Sequence, residues 1–311
     1  MPETDPQPAG SQMRFGVCVP NFRPGASPEG MLAATLTAER LGWHSVWTTD
    51  HILVDGSERA ADYRHIYEAL SVLAWLGGQS STIRLGISVL VVPMRSAVLL
   101  AKELATIDAL TKGRLIAGIG IGWNRNEFDN LGVADRFGQR GAYVEATVEL
   151  WRYLWGGGQG PYDGRFDGFG KAYFSPLPTQ GPELPIWIGA TAEPALRRVG
   201  RIAQGYQSTR TDADTMRERA HIIRAAADAA GRPMPILSAR LGVSFDRPGP
   251  VLAGSSEQMA DQVRAFRDAG VRHLALDFRE TDPDIVARAI ERFDREVIAE
   301  SSSVGETSGG D

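Results

Sequence analysis

The sequence predicts an α/β protein, a (β/α)8 barrel with an insertion after the fourth helix. Three observations predict it. Short β-branched runs alternate with longer stretches of helical period along the chain. The strand runs are apolar at nearly every position, as expected of parallel strands covered by helices on both sides. Eight such units occur in 311 residues, and a (β/α)8 barrel takes about 250 plus insertions. A doubly wound open sheet accommodates the same alternation, but no G-x-G-x-x-G turn follows the first strand.

The elements follow in order. The first strand is FGVCVP, residues 15–20. A helix over 27–41 is signalled by Ser27 as cap, Pro28 at the first helical position and Met31, Leu32, Thr35, Leu36 and Glu39 at helical spacing; Gly42 stops it. Strand 45–48 leads through a long polar loop to a helix near 67–76. Strand 84–91 (RLGISVLV) precedes a helix at 96–110, and strand 114–120 (RLIAGIG) precedes one at 138–155. Residues 156–182, rich in Gly and aromatics, break the alternation and are read as the insertion, with a hairpin around 164–174. The remaining units are strand 185–189 with helix 193–203, strand 206–209 with helix 212–230, strand 236–245 with helix 256–269, and strand 272–278 with helix 283–298. One folded domain over 13–298 is expected. It would carry a flexible lead-in at 1–12 and a flexible tail at 299–311, both small or polar in composition.

Composition narrows the function. With 43% hydrophobic and 23% charged residues the chain is ordinary globular material. At this length folding buries roughly 75% of the unfolded surface, so no disulfide or structural metal is needed. Thirty-three basic against 38 acidic residues give a net charge of −5. Nucleic-acid binding through clustered cations is therefore not expected. The single cysteine, Cys18, forms no internal disulfide and no multi-cysteine zinc site. No apolar run of about 18 residues is present, and the polar start lacks a secretory h-region, so no membrane association and a cytoplasmic location are expected.

In such a barrel the active site gathers at the C-terminal ends of the strands. That rule shortlists Asn21, Asp50 and His51, residues 88–93, residues 123–127, residues 190–193, Arg210, Asp277 and Arg279. Asp50-His51 is the most suggestive pair, because histidine can exchange a proton near neutrality. The plain alternative is a histidine satisfying a loop carbonyl. His44 and His273 fall at the N-terminal ends of their strands and read as structural. Gly118, Gly120 and Gly122 after the fourth strand, and the Gly189-Ala190-Thr191 turn after the fifth, suit close approach of backbone amides to an anion. Close packing of strands would equally require those glycines. Walker A, G-x-S-x-G and H-E-x-x-H patterns are missing, and no metal site is expected.

Four segments in order resemble one family. They are FGVCVPNF, LGWHSVWTTDHI, IRLGISVLVVPMRSAVLLAKELATIDALTKGRLIAGIGIGWNRNEFDNLGV and PIWIGATAEPALRRVGRIAQGY, spanning about residues 14–206. They resemble the luciferase-like flavin- and deazaflavin (F420)-dependent oxidoreductases. The resemblance implies a dimeric barrel holding an isoalloxazine-type ring in its mouth. It implies His51 as the catalytic residue and Asp50 as a cofactor contact. It also implies a non-proline cis peptide at Ser88-Val89 behind the ring. Further cofactor contacts are implied at Gly122, Trp123, Asn126, Gly189, Ala190 and Thr191. The sugar-phosphate dehydrogenases of the deazaflavin branch have a Glu where this chain has Trp123, so sugar phosphate is not the expected substrate. Glu127 is read as a structural partner of the loop. Arg210, Arg240 and Arg279 are considered for an anionic substrate, with surface or ion-paired roles as the alternative.

The expected function is hydride transfer between F420 and a small organic substrate, with His51 as proton donor or acceptor. One alternative is an FMN-dependent monooxygenase fed reduced flavin by a separate reductase. A non-catalytic flavin-binding paralogue is another. The expected partners are a small-molecule substrate, a flavin or F420 reductase, and a second copy of the chain.

Overall fold

Every barrel strand pairs with two parallel neighbours, so the sheet has no edge. The strands are β1 (Arg14–Cys18), β2 (Ser45–Thr48), β3 (Arg84–Ile87), β4 (Leu115–Gly120), β5 (Ile186–Gly189), β6 (Gly205–Thr209), β7 (Ile236–Gly242) and β8 (His273–Asp277). Their order is β3-β2-β1-β8-β7-β6-β5-β4, and β3 pairs with β4 to close the ring. The computed structural model describes residues 12–209, 211–246 and 252–303. The expected lead-in before residue 12, the tail beyond residue 303 and Arg210 lie outside the described residues.

The eight units are those the sequence predicts, with helices α1 (Pro28–Arg40), α2 (Ala69–Gln79), α3 (Ala97–Leu110), α5 (Arg140–Trp155), α6 (Glu193–Ile202), α7 (Ala213–Ala229), α8 (Ser256–Asp268) and α9 (Pro283–Phe293). Side-chain caps start several of them. Ser27 Oγ accepts from Gly30 N, Asp212 from Thr215 N, and Asp282 from Asp284 N and Ile285 N. Gly42, with φ of 74°, ends the first helix in the left-handed region.

Four features depart from expectation. The hairpin pairs Tyr162–Asp163 with Gly168–Phe169, earlier than 164–174. A short helix, α4 (Arg125–Asn130), follows β4, and a 3-10 turn (Glu58–Tyr63) lies in the loop after β2. The closing helix does not stop at residue 298. It continues through a π turn (Asp294–Ile298) to Ala299–Ser303, where the Ser301 and Ser302 hydroxyls donate to the Ile298 carbonyl, so residues 299–303 correct the expected flexible tail. No described helix is long and apolar enough to cross a membrane.

Strand alternation builds two apolar layers. Outward residues such as Val17, Val46, Leu85, Ile119 and Leu274 pack under the helices. Inward residues Cys18, Trp47, Ile116, Trp187 and Ala275 fill the barrel. The Trp47 and Trp187 rings lie 5.2 Å apart and His273 meets both edge-on. Ser45 and Ser238 hold the two His273 nitrogens at 2.8 and 2.7 Å, the structural role expected for this histidine. The indoles fill the lower barrel.

Candidate active site

The chain leaves β2 as Thr49-Asp50-His51, and each residue is fixed differently. Asn21 extends the pairing past the strand, accepting from Thr49 N and donating to the Thr49 and Tyr67 carbonyls at 2.8–3.0 Å. The Asp50 carboxylate takes both Arg95 Nη groups at 2.7 Å and Val91 N at 2.8 Å. Asp50 therefore sits at the mouth but has its two oxygens committed to the turn after β3. Charge-assisted bonds of this kind contribute about 1.5–3 kcal/mol. Asp50→Asn is expected to cost about 2 kcal/mol in urea denaturation; an unchanged midpoint would show the fork to be idle.

His51 is buried, and its Nδ1 lies 2.7 Å from Glu127 Oε2. The other Glu127 oxygen accepts from Ile52 N and Leu53 N at 2.6 and 3.2 Å. Burial pushes the Glu127 carboxyl up, but the hydrogen bond from His51 and those two amides outweigh it, and the net direction is down. An ionised Glu127 only accepts, so His51 carries a proton on Nδ1, which leaves Nε2 as the exchangeable nitrogen. Glu127 is thus the loop partner that the sequence suggests, and also the histidine's orienting group, which the sequence does not reveal.

Glu127→Gln leaves the fold intact at a cost of about 2 kcal/mol. A carboxyl whose native value lies below its ordinary range near 4.3 stabilises fully above that range. Its contribution disappears as pH falls through the native value. The variant should therefore lose part of the stability drop that the unmodified protein shows below about pH 4.3. Thermal melts of both proteins from pH 7 to 3 check this.

Aromatic rings wall the imidazole. Tyr63 from the 3-10 turn lies 4.2 Å from the His51 ring centroid, and Trp123 meets it edge-on at 5.8 Å. Phe22 stacks on the far side of Tyr63 at 5.5 Å, and the Arg59 guanidinium covers Trp123 at 4.0 Å. His51 and the residues after Gly122 therefore share one end of the barrel.

The Ser88-Val89 peptide is cis, as the resemblance implies. It separates β3 from Leu90–Val91, which rejoins β4 at Leu90↔Ile119 and Val91↔Gly120. The glycines of the fourth strand face this segment one for one. A Cβ on Gly118 would meet the Ile87 carbonyl oxygen at 1.8 Å. One on Gly120 would meet Val89 Cγ2 at 2.5 Å, and one on Gly122 would meet Val91 Cγ1 at 2.7 Å. Gly189 on β5 faces Val89 in the same way, at 2.9 Å. The Gly118–Gly122 run is therefore a packing feature that seats the bulge, and Val89 projects over Gly120 and Gly189 at the mouth.

The remaining expected contacts are more peripheral. Asn126 is exposed and donates to Asp55 in the loop after β2. The Ala190 carbonyl accepts from Tyr206 OH at 2.9 Å, and Thr191 is exposed just before α6. Arg279 is exposed and lies 3.8 Å from Asp62. Missed by the sequence are Arg23 and Arg95, which tie down Asp277 and Asp50, and Tyr63 and Gln207. Nothing in spacing alone marks them, because each acts across the barrel.

Comparison with known proteins agrees with this architecture. The family model for luciferase-like monooxygenases matches residues 13–246. The uncharacterised protein Rv0953c of Mycobacterium tuberculosis is 30% identical over 295 residues, covering 90% of this chain and 97% of that one. An F420-dependent glucose-6-phosphate dehydrogenase of Microbacterium testaceum is 30% identical over 202 residues, 63% of this chain and 56% of the relative. Among solved structures, the FMN-bound oxygenating constituent of 3,6-diketocamphane monooxygenase from Pseudomonas putida superposes with a TM-score of 0.75 at 16% identity, covering 93% of this chain and 98% of that one. With a closed parallel barrel, a bulge after its third strand and a buried histidine at the mouth, the chain belongs to the luciferase-like monooxygenase family of flavin- or F420-dependent oxidoreductases.

Proposed function

We propose that the protein transfers a hydride between F420 and a small organic substrate, with His51 as proton donor or acceptor. The observation that carries this reading is the Glu127–His51 pair, which lies at the same mouth as the Ser88-Val89 bulge. The residues present fit a planar ring. Val89, seated over Gly120 and Gly189, makes an apolar face, and Ser88 Oγ is buried beside it with no hydrogen-bond partner among the described residues. Val89, Gly120 and Gly189 would back the ring, while Gly122 and the Gly189–Thr191 turn would meet its tail. When bound, the deazaflavin supplies the hydride. His51 exchanges a proton with the substrate oxygen, Glu127 keeps the tautomer, and Trp123 and Tyr63 exclude water.

The F420 assignment draws on the dehydrogenase relative named above. Fluorescence titration of the purified protein with F420 and with FMN tests it. Micromolar binding of F420 with FMN at least tenfold weaker is expected, and the reverse order overturns the assignment. The second reading is an FMN-dependent monooxygenase supplied by a separate reductase. The aromatic enclosure of His51 favours it, because a dry pocket protects reduced flavin.

The same proposal includes a cytoplasmic homodimer. Trp75 on α2 and Val98 and Leu99 on α3 are large apolar residues left exposed on adjacent helices, an area a second copy would cover. Sedimentation at micromolar concentration should give twice the mass of 33.7 kDa; a monomer would refute it.

A further inference from the structure

We propose that Arg240 and Gln207 form an anion subsite on the floor of the barrel mouth, which takes the carboxylate of a monoanionic organic substrate. The inference rests on the oxidoreductase reading above and names the substrate class for that site.

Gln207 lies between Tyr206, whose hydroxyl reaches the Ala190 carbonyl, and Ser208, whose Oγ accepts from Arg219 of α7. Those neighbours face outward, so alternation turns Gln207 into the barrel. It is fully buried there, and neither its amide nitrogen nor its amide oxygen has a hydrogen-bond partner among the described residues. Buried amides are normally satisfied, so this one points to a ligand or water that completes it.

Arg240 enters the same space from β7, in register with Thr209 two residues beyond Gln207. Its one hydrogen bond among the described residues runs from Nη1 to the Ser88 carbonyl at 2.6 Å. Its nearest carboxylate, Asp277, stands 3.5 Å from Nη2, beyond hydrogen-bond range. Arg23 already grips that carboxylate with two bonds of 2.9 and 2.8 Å. Two guanidiniums thus share one carboxylate.

No carboxylate hydrogen-bonds Arg240 among the described residues. Burial pushes the neighbouring Cys18 thiol up to about 11, so it is neutral. Asp62 lies on the rim, shared between Arg23 and Arg279 at 3.5 and 3.8 Å, and so balances the outer arginine. Across the mouth Asp50 and Glu68 share Arg95, and Glu127 meets His51. Arg240 therefore has no hydrogen-bonded carboxylate among the described residues, and a single guanidinium edge suits a carboxylate better than a phosphate dianion. An arginine edge and an amide N–H suit its two oxygens. Phe22, 5.6 Å from the Arg240 guanidinium, supplies apolar surface for the organic body.

The test is calorimetric titration of the full-length protein with benzoate and with its neutral counterpart benzamide. Benzoate is expected to bind at least tenfold more tightly. Arg240→Gln should reduce benzoate to the level of benzamide, and Arg240→Lys should keep a smaller preference. Gln207→Leu should weaken benzoate several-fold. F420 or FMN affinity, read by fluorescence, should stay within twofold of the unmodified protein in all three. Equal or absent binding of the two probes, or an undiminished preference in Arg240→Gln, overturns the subsite. If Arg240→Gln does not fold, Gln207→Leu decides, and unchanged benzoate affinity there overturns it. Benzoate selectivity without binding of either cofactor would overturn the oxidoreductase reading and leave the subsite standing.

Discussion

Replacing His51 with Asn is expected to lower turnover by about 10²–10⁴-fold while cofactor affinity changes little, the range for loss of a positioned acid or base. Asn at this position keeps a donor toward Glu127, whose charge would otherwise be stranded in the interior. The fold should therefore survive, and the loss should fall on kcat. Stopped-flow hydride transfer with the cofactor identified by titration provides the measurement. Unchanged kcat would remove His51 from the chemistry, whereas no turnover in the unmodified protein would favour a non-catalytic flavin-binding role.

Gly118→Ala is expected to destabilise the barrel by about 3 kcal/mol or more, near the upper end for overpacking. The added methyl would lie 1.8 Å from the Ile87 carbonyl oxygen, which is backbone and cannot rotate away. Strands β3 and β4 would have to separate at their closing seam, where Leu85↔Leu115 and Gly86↔Ile116 complete the ring. For a chain of this size the melting temperature should fall by about 5 °C or more. Gly78→Ala is the control. It lies in α2 with nothing within 4 Å of the added carbon, and replacing a helical glycine there should raise stability by about 0.5–1 kcal/mol. Thermal melts of both variants decide it. A Gly118→Ala protein as stable as the unmodified one would mean that the seam has slack.

The glycines of the fourth strand are visible in the sequence, which supports both an anion seat and close packing. Only the register of β4 against the segment after β3 assigns Gly118, Gly120 and Gly122 to Ile87, Val89 and Val91. The exposure of Asn126 and its bond to Asp55 likewise follow from where α4 begins, a helix too short and polar to leave a periodic signal.

The number and order of the strand–helix units and the family are legible in the residues alone. These depend on local period, caps and strand termini, which are written in neighbouring residues. Tertiary structure alone decided who holds whom. His51 meets a carboxylate 76 positions away, Asp50 is claimed by Arg95, and Arg23 reaches Asp277 across 254 positions. Such pairings are set by barrel closure, which brings the ends of strands distant in the chain to one rim. No spacing rule along a single chain encodes which charges will share that rim.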